Sequence, residues 1–479
     1  MDSSLSSSSP APDSATSFEQ GVRSLIWESE ANLQAIDAEI AHLHSLIATQ
    51  YRRREIELNE IASLRAKIAP IRKLPVELLA EIFVLSLETD SSQFCVSHVS
   101  HYWRRVAHST PSLWQRLALQ PPDELTQDYL DVTKAWIDHS SPLPLSLRIR
   151  PSGYNSHTTS LMSVLLSAAH RWKKLETTPE VIDYFPSVPT DAFASLEEVR
   201  FERSYPHTPP TPHLQIRAFS IAPQLRSFSN LDVGGDHFAT YHMPWKQLAE
   251  LQLCDMASTC RSILRACENV ETVRVEAQDV ADMVALSSQT LPFLKTLHVS
   301  FEAANVAATF LDSLALPTLR TLTIDIWFAH WFPGTFTRFQ LRSPNIRTLT
   351  LKRAALTSAE LIDVLRRAPS LNHLALLECP EAVDDQLFDA LQVGFNFPPL
   401  VPRLVALAIN PTDDNVFSSG AVCRMVRSRW WSDDQSSALA MQPPVARLEK
   451  LQISRCFITH YGLRYDLLDC RDQGFDLQS

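Results

Sequence analysis

A short apolar motif that recurs from residue 196 onward constrains the fold of this chain more than any other sequence feature. It places apolar residues at its first, fourth and sixth positions. At an apolar content of 45% a single match means nothing, but ten matches in order at a near-constant step are a repeat. Most copies start 22 to 29 residues apart. The copies start at Leu196, Leu225 (degenerate), Leu248, Val270, Leu294, Leu319, Ile346, Leu371, Leu404 and Leu448.

This step is the period of leucine-rich repeats, in which each copy supplies one short strand and an amphipathic return. One return is legible: Thr357 to Glu360 has the pattern of a capping box. The predicted fold is therefore α/β: a leucine-rich-repeat solenoid over 120–479, a horseshoe with a parallel sheet on its concave face. The segment near 410–447 is interpreted as an insertion, and copies before 196, such as those starting at Leu145 and Trp172, are unclear.

The strand positions between the inward leucines predict a surface for a protein partner. Parallel strands in register present these positions on one face, which repeat proteins use for binding. The target itself stays unidentified, because these residues share no single charge or shape. The predicted partner-binding residues are Arg200, Gln252, Arg274, His298, Thr323, Thr350, His373 and Gln452.

The N-terminal region divides into a polar tail and a long helix. Residues 1–17 are rich in Ser and Pro and are predicted to be disordered. Residues 18–69 carry an a/d heptad pattern, with Ile40, Leu43 and Ile47 on the seam and polar residues at Gln50, Arg54 and Glu57. Two interpretations stay open: a coiled coil that forms a homodimer, or an amphipathic helix that packs on its own chain.

Residues 70–119 predict two or three short helices. Leu78, Leu79, Ile82 and Phe83 form one apolar face, and Pro111 restarts the chain before a final Leu-Trp pair. This segment resembles the F-box, in the F-box-like variant found in large fungal families, although Ser100 stands where cysteine is common. The matching residues are Leu74, Pro75, Glu77, Leu78, Ile82, Phe83, Val99, Trp103, Arg104, Val106, Ala107, Pro111, Leu113 and Trp114.

The resemblance implies a small all-α domain that binds a Skp-type adaptor and, through it, a cullin. The alternative is an ordinary helical core in which Trp103 and Trp114 are buried internally. The residues that the resemblance assigns to adaptor binding are Leu74, Pro75, Glu77, Leu78, Ile82, Phe83, Val99, Trp103 and Trp114.

Composition excludes several functional classes. Only 9 of 479 residues are glycine, and none is spaced for a phosphate-binding loop or a nucleophile elbow. The net charge of −11 argues against a nucleic-acid partner. The absence of an apolar run of membrane-spanning length argues against a membrane, and the scattered cysteines indicate a cytoplasmic or nuclear protein. We expect no catalytic residues, cofactor or metal site, since the pairs His98/His101 and His42/His44 each lack a third ligand.

The functional hypothesis is a non-enzymatic substrate receptor of a cullin–RING ubiquitin ligase, which binds the adaptor through the F-box and a target through the repeats. The competing hypothesis is a repeat scaffold that assembles homotypically without ubiquitin chemistry.

Two further segments have open interpretations. The proline-rich stretch 205–213 is a surface connector or a docking segment. The aromatic cluster between Trp327 and Phe336 is a binding hot spot or an insertion packed over the solenoid edge.

Overall fold

The architecture is taken from a computed structural model, in which the chain divides into two units, 1–83 and 84–479. The residues it describes are 13–86, 92–122, 125–150, 156–178, 181, 185, 188, 192–202, 219–231, 242–277, 288–327, 330–379, 381–394, 398–410, 417–431, 445–453, 466–472 and 474–478. The proline-rich stretch 205–213 and residues 1–12 of the predicted disordered tail lie outside them.

The first unit is dominated by one helix, α1 (Asp13–Ile68), which begins five residues before the predicted start at 18. Its uninterrupted length follows from a sequence with no proline and a single glycine, Gly21. The apolar seam side chains of α1 are solvent-exposed, with about half of the surface of Ile40, Leu43 and Ile47 open. The helix is therefore amphipathic with an uncovered apolar stripe.

The remaining helices are short and follow one another along the chain. They are α2 (Val76–Ser86), α3 (Ser92–Val99), α4 (His101–His108), α5 (Gln127–His139), α6 (Ser156–Leu166), α7 (Ala257–Ala266), α8 (Ala304–Asp312), α9 (Pro333–Arg342), α10 (Ser358–Arg366), α11 (Asp385–Leu391), α12 (Ser419–Arg429) and α13 (Leu468–Asp472). Short 3-10 helices occupy Pro70–Lys73, Pro111–Trp114, Ala169–Arg171 and Trp245–Gln247.

Fourteen strands form one parallel sheet in which every strand pairs with the next in chain order. Two further strands, β8 (Gln289–Thr290) and β10 (Leu314–Ala315), pair separately. The strands of the main sheet are β1 (Arg116–Leu119), β2 (Leu145–Ile149), β3 (Trp172–Thr177), β4 (Glu198–Phe201), β5 (Ser227–Asn230), β6 (Glu250–Cys254), β7 (Thr272–Ala277), β9 (Thr296–Phe301), β11 (Thr321–Asp325), β12 (Thr348–Lys352), β13 (His373–Leu377), β14 (Ala406–Asn410), β15 (Lys450–Ile453) and β16 (Asp476–Gln478).

This sheet confirms the predicted solenoid fold. Each of the ten sequence copies contains one strand of the sheet, β4 to β7, β9 and β11 to β15. The structure also resolves the region before residue 196, where β1, β2 and β3 add three strands. The strand β1 lies within residues 70–119, so the sheet begins inside the segment assigned from sequence to the F-box. The last strand, β16, has no counterpart among the sequence copies.

Inward leucines in register form the core of the solenoid. Leu322 pairs with Leu297 on one side and Leu349 on the other, and all three side chains are buried. The same alternation continues along the sheet, with one face of each strand buried and the other facing outward. The predicted capping box at α10 is confirmed: Thr357 accepts from the Glu360 amide, and the Glu360 carboxylate accepts from the Thr357 amide at 2.9 Å.

The segment near 410–447 connects the neighbouring strands β14 and β15 and contains helix α12. Arg429 at the end of α12 is fully buried, and its guanidinium donates to the carbonyl oxygens of Leu391, Leu400 and Val401. Burial lowers the pKa of Arg429 to about 10. A charged side chain at this position thus satisfies buried carbonyl groups that the irregular chain leaves without partners.

Six of the cysteines are buried inside the repeats. Cys379 follows β13, and burial raises its pKa to about 11. Burial likewise raises the pKa of Cys267 to about 12. Thiols with such raised pKa values carry little thiolate near pH 7, so their role here is packing.

We predict that the inward and outward positions of one strand differ sharply in their effect on stability. Leu322→Ala should lower the free energy of unfolding by about 2–5 kcal/mol, because it opens a cavity in the core. Thr323→Ala, its outward neighbour on β11, should change this free energy by about 0.5 kcal/mol or less. Urea unfolding followed by circular dichroism measures both, and equal effects would contradict the inward–outward assignment.

Candidate functional site

Helix α2 exposes an apolar stripe. Leu78, Ile82 and Leu85 lie at helical spacings of four and three residues, and their side chains are 48%, 45% and 74% exposed. The neighbouring stripe, Leu79 and Phe83, is buried. Because α2 is apolar on both stripes, its exposed stripe has the character of a surface that a partner covers.

Ser100 begins helix α4. Its side chain accepts a hydrogen bond from the Trp103 amide at 3.1 Å, which caps the helix. The nearby Val99 is 60% exposed, whereas Trp103 is half-buried. The serine that departs from the F-box pattern therefore has a local structural role.

Two residues assigned to adaptor binding are buried, and for them that assignment is wrong. Phe83 is 1% exposed and Trp114 is 4% exposed, so neither offers surface to a partner. The Trp114 indole donates to the Ala107 carbonyl oxygen at 2.8 Å, and its ring meets that of Trp136 edge-on at 5.0 Å. Trp114 is therefore an internal residue of this segment. Among the other assigned residues, Pro75 and Glu77 are exposed and Leu74 is half-buried.

An aromatic cluster joins α4 to α5 around Trp114. The His108 ring lies 5.5 Å from the Trp114 ring and 4.5 Å from the His139 ring. The Trp136 indole donates to the Trp114 carbonyl oxygen at 2.8 Å. Desolvation lowers the pKa of His108, and the neighbouring His139 and Arg104 lower it further. This cluster ties the last residues of the F-box-like segment to the first repeat.

The outward face of the sheet brings seven of the eight predicted partner-binding residues into one row. The row crosses successive strands at paired positions and also includes Ser229, Ala375 and Ala408. The seven predicted residues are Arg200, Gln252, Arg274, His298, Thr323, Thr350 and Gln452.

His373 departs from this arrangement. It pairs with Thr348 and Ala406, in the adjacent row two residues earlier along the strands. The position between the inward leucines of β13 is Ala375. The sequence analysis assigned His373 to this row, two residues before the correct position. His373 and Ala375 point to the same face of the strand, because side-chain direction alternates with a period of two.

Charge is distributed unevenly along the outward face. The strands β2 to β4 carry close ion pairs, Arg148 with Glu176 at 2.8 Å and Lys174 with Glu198 at 2.5 Å. In the middle of the sheet, desolvation lowers the pKa of His298, with a further contribution from Arg274. Towards the C-terminal strands the face becomes small and neutral, as at Ala375 and Ala408. Ion pairs are therefore densest around strands β2 to β4.

The aromatic cluster after β11 divides into a buried and an exposed part. Trp331 and Phe336 are buried and in ring contact at 4.9 Å, as an insertion packed over the solenoid would be. Trp327 is 53% exposed, and the guanidinium of Arg353 stacks on its ring at 3.8 Å. Asp325 holds that guanidinium through two hydrogen bonds. Phe328 of the same cluster lies outside the described residues.

Within the described ranges no group of three or more metal-ligating side chains converges. The histidines of the pairs His98/His101 and His42/His44 are exposed on helices. Among the helices that the structure describes, none combines the length and the apolar character needed to cross a membrane.

Comparisons with known proteins bear on the segment that contains helix α2. A family model described as F-box-like matches residues 71–120. The chain therefore contains an F-box-like domain, as the sequence resemblance predicts. No curated protein sequence matches the chain.

Solved structures are similar only at a low level. One chain, described as "Crystal structure of Rad7 and Elc1 complex in yeast", has 13% identity and a TM-score of 0.36, with 88% of this chain and 91% of that chain covered. A second, described as "Crystal structure of TLR13-ssRNA13 complex", has 13% identity and a TM-score of 0.32, with 66% and 49% covered. Neither likeness assigns a partner to this chain.

Sequence reasoning missed several residues around these surfaces. Trp136 and His139 complete the cluster at Trp114, but they stand 22 or more residues beyond it in the chain. They could have been identified only by knowing that α5 packs on the 3-10 helix Pro111–Trp114, which is a tertiary contact. Leu85 continues the exposed stripe of α2, and its helical spacing from Leu78 was a legible signal.

We predict that acid weakens the α4–α5 cluster through His108. Its lowered pKa means that the unfolded chain binds the proton more readily, so stability present above the ordinary value of 6.5 is lost as pH falls below it. The free energy of unfolding should decrease between pH 7 and pH 5, and this decrease should be smaller in His108→Gln than in the native chain. The difference should be less than about 1 kcal/mol, because water screens the ring. The exposed His101→Gln is the control, and an identical acid loss in both variants would contradict the assignment.

Proposed function

We propose that this protein is a substrate-receptor subunit of a cullin–RING ubiquitin ligase. The observation that carries the proposal is an F-box-like domain at 71–120 whose helix α2 exposes an apolar stripe. In this proposal a Skp-type adaptor covers the stripe and connects the chain to a cullin. The chain performs no chemistry itself, and its place of action is the cytoplasm or the nucleus.

The outward face of the solenoid is the proposed site for the target protein. Its row crosses ten strands from Arg200 on β4 to Gln452 on β15, and it is polar on every strand from β4 to β12. Side chains there contribute little to the core, because the inward leucines hold the strands together. Such a surface is free to vary with the target while the fold is kept.

We predict that charge on the α2 stripe abolishes adaptor capture. Leu78→Glu with Ile82→Glu places two carboxylates on the exposed stripe, where an apolar partner surface would have to desolvate them. Because both side chains are about half exposed, the variant should remain folded. Pull-down of a purified Skp-type adaptor should fall at least tenfold relative to the native chain.

The control is Val132→Glu, which places one carboxylate on the 53% exposed Val132 of α5, outside the stripe, and is compared with Leu78→Glu alone as well as with the double variant. It should leave adaptor capture unchanged. A folded Leu78→Glu/Ile82→Glu variant that captures the adaptor as well as Val132→Glu does would overturn the proposed ligase role. Leu74→Ala with Pro75→Ala provides a second test at the start of the domain.

A homodimer formed through α1 is the second element of the proposal. The seam residues Ile40, Leu43 and Ile47 are each 45% to 50% exposed in the single chain, and a long helix with an open apolar stripe is stabilised when a second helix covers it. The same observation favours the competing function, a homotypic scaffold without ubiquitin chemistry. Adaptor capture distinguishes the two, because only the receptor requires it.

A parallel, in-register pair would have mixed effects on the charges of α1. In that arrangement a residue at heptad position g faces the residue five positions later on the second helix. Glu60 would then face Arg65, and Glu39 would face His44, so neither pairing brings like charges together. Within the seam, this arrangement would place Arg54 against Arg54 and Glu57 against Glu57 of the second helix, so these two positions would cost stability.

We predict that charge on the seam separates the chains. Ile40→Glu with Ile47→Glu should convert a dimer into a folded monomer, because the carboxylates would be buried in pairs across the seam. Multi-angle light scattering measures the mass directly. Ile56→Glu is the control, since Ile56 is 64% exposed but stands away from the a and d positions. A native chain that is already monomeric at micromolar concentration would refute the dimer.

A further inference from the structure

A groove crosses the outward face of strands β1 to β4, at the N-terminal end of the sheet. Its volume is about 310 Å³, and its floor is formed by the strands themselves. The charged side chains that line it are Arg116, Arg148, Lys174, Glu176, Glu198 and Arg200. Four cations thus meet two anions in one groove of a chain whose net charge is −11. The groove therefore carries a local excess of positive charge.

Both anions of the groove already have partners. Glu176 accepts from Arg148 at 2.8 Å, and Glu198 lies 2.5 Å from the Lys174 ammonium. Glu202, just beyond β4, is paired with Arg150, and that hydrogen bond lowers the pKa of Glu202 to about 2. The remaining charge therefore resides on Arg116 and Arg200, which form no ion pair with any described residue.

Of these two arginines, Arg200 is the one that is partly buried. Its Nε atom is enclosed by the protein and has no hydrogen-bond partner among the described residues. A buried donor without an acceptor is costly, and native structures satisfy nearly all such groups. A bound partner cannot reach this enclosed atom, but an anion placed against the terminal amino groups of Arg200 would neutralise the guanidinium, which has no ion-pair partner among the described residues.

We infer that the groove binds an acidic segment of the target protein through Asp or Glu side chains. This inference rests on the proposed receptor function and specifies the class of target. A carboxylate matches the guanidinium because its two oxygens accept from two parallel N–H groups. Carboxylates that engage Arg116 and Arg200 complete the charge balance of the groove, whereas basic or neutral segments leave both arginines unpaired.

The sheet geometry sets the spacing of the acidic residues. Arg116 on β1 and Arg200 on β4 are three strand spacings apart across the sheet and two residues apart along it, because Arg116 is in register with Glu198 through Ser146 and Lys174. Their backbone separation is therefore roughly 16 Å. An extended peptide advances about 3.3 Å per residue, so side chains four residues apart are about 13 Å apart and on one side of the peptide. The long arginine and glutamate side chains span the remaining distance, so the segment that fits carries two acidic residues separated by three others and lies obliquely across the strands.

Peptide binding to the full-length protein tests the inference. The probe is a fluorescein-labelled twelve-residue peptide of Ala and Ser with two Glu residues four positions apart, read by fluorescence anisotropy. The same peptide with Gln in place of Glu should bind at least about tenfold more weakly. Equal binding of the two peptides would overturn the inference. Tighter binding of a peptide with phosphoserine at these positions would assign the groove to phosphate instead.

Variants of the two arginines connect any binding to the groove. Arg200→Gln and Arg116→Gln should each weaken binding of the Glu peptide about tenfold, since each removes a charged hydrogen bond. Arg347→Gln is the control, because Arg347 is an exposed cation at the start of β12 and outside the groove. Equal effects of all three substitutions would show non-specific attraction and contradict the site. Arg116 is exposed, so its variant remains informative even if Arg200→Gln destabilises the fold.

Adaptor pull-down on the same preparations separates this inference from the proposed function. A protein that captures the adaptor but does not discriminate Glu from Gln peptides refutes the groove and leaves the receptor role standing. A protein that binds the Glu peptide through Arg200 but captures no adaptor refutes the ligase role and keeps the groove as an acidic-segment site.

Discussion

The structure depends on the register of buried leucines beneath a parallel strand ladder. Leu297, Leu322 and Leu349 lie side by side on neighbouring strands, so each repeat buries its apolar residues only against the repeats before and after it. A solenoid of this kind has no central core that a change at one position would disturb as a whole. The outward side chains are consequently not needed for the buried core, so they can contact a partner.

The two proposed interfaces are built on different physical terms. The α2 stripe is apolar, and its cover would bury Leu78 and Ile82 without charge pairing. The groove on β1 to β4 is polar, and its selectivity would come from the pairing of Arg116 and Arg200 with carboxylates. An apolar contact to a constant adaptor and a charged contact to a variable target would allow one chain to hold both partners independently.

The segment around Trp114 illustrates how a family pattern can mark structure rather than contact. Trp114 matches the F-box-like pattern, yet its ring is enclosed by His108, Trp136 and His139. Its indole N–H donates to the Ala107 carbonyl oxygen, and its own carbonyl oxygen accepts from the Trp136 indole. The pattern therefore includes a residue that connects the last F-box-like turn to the solenoid.

The sequence by itself determined the repeat, the strands from Leu196 to Ile453, and the F-box-like segment, because alternating leucines at a fixed step and a local motif are visible along the chain. It also placed Arg200, Arg274 and His298 on one face, since strand alternation has a period of two. Only the tertiary structure decided that Phe83 and Trp114 are buried and that Ala375 occupies the row assigned to His373. It alone showed Arg116 and Arg200 in one groove, because burial, register and the meeting of distant strands depend on contacts between residues far apart in the chain.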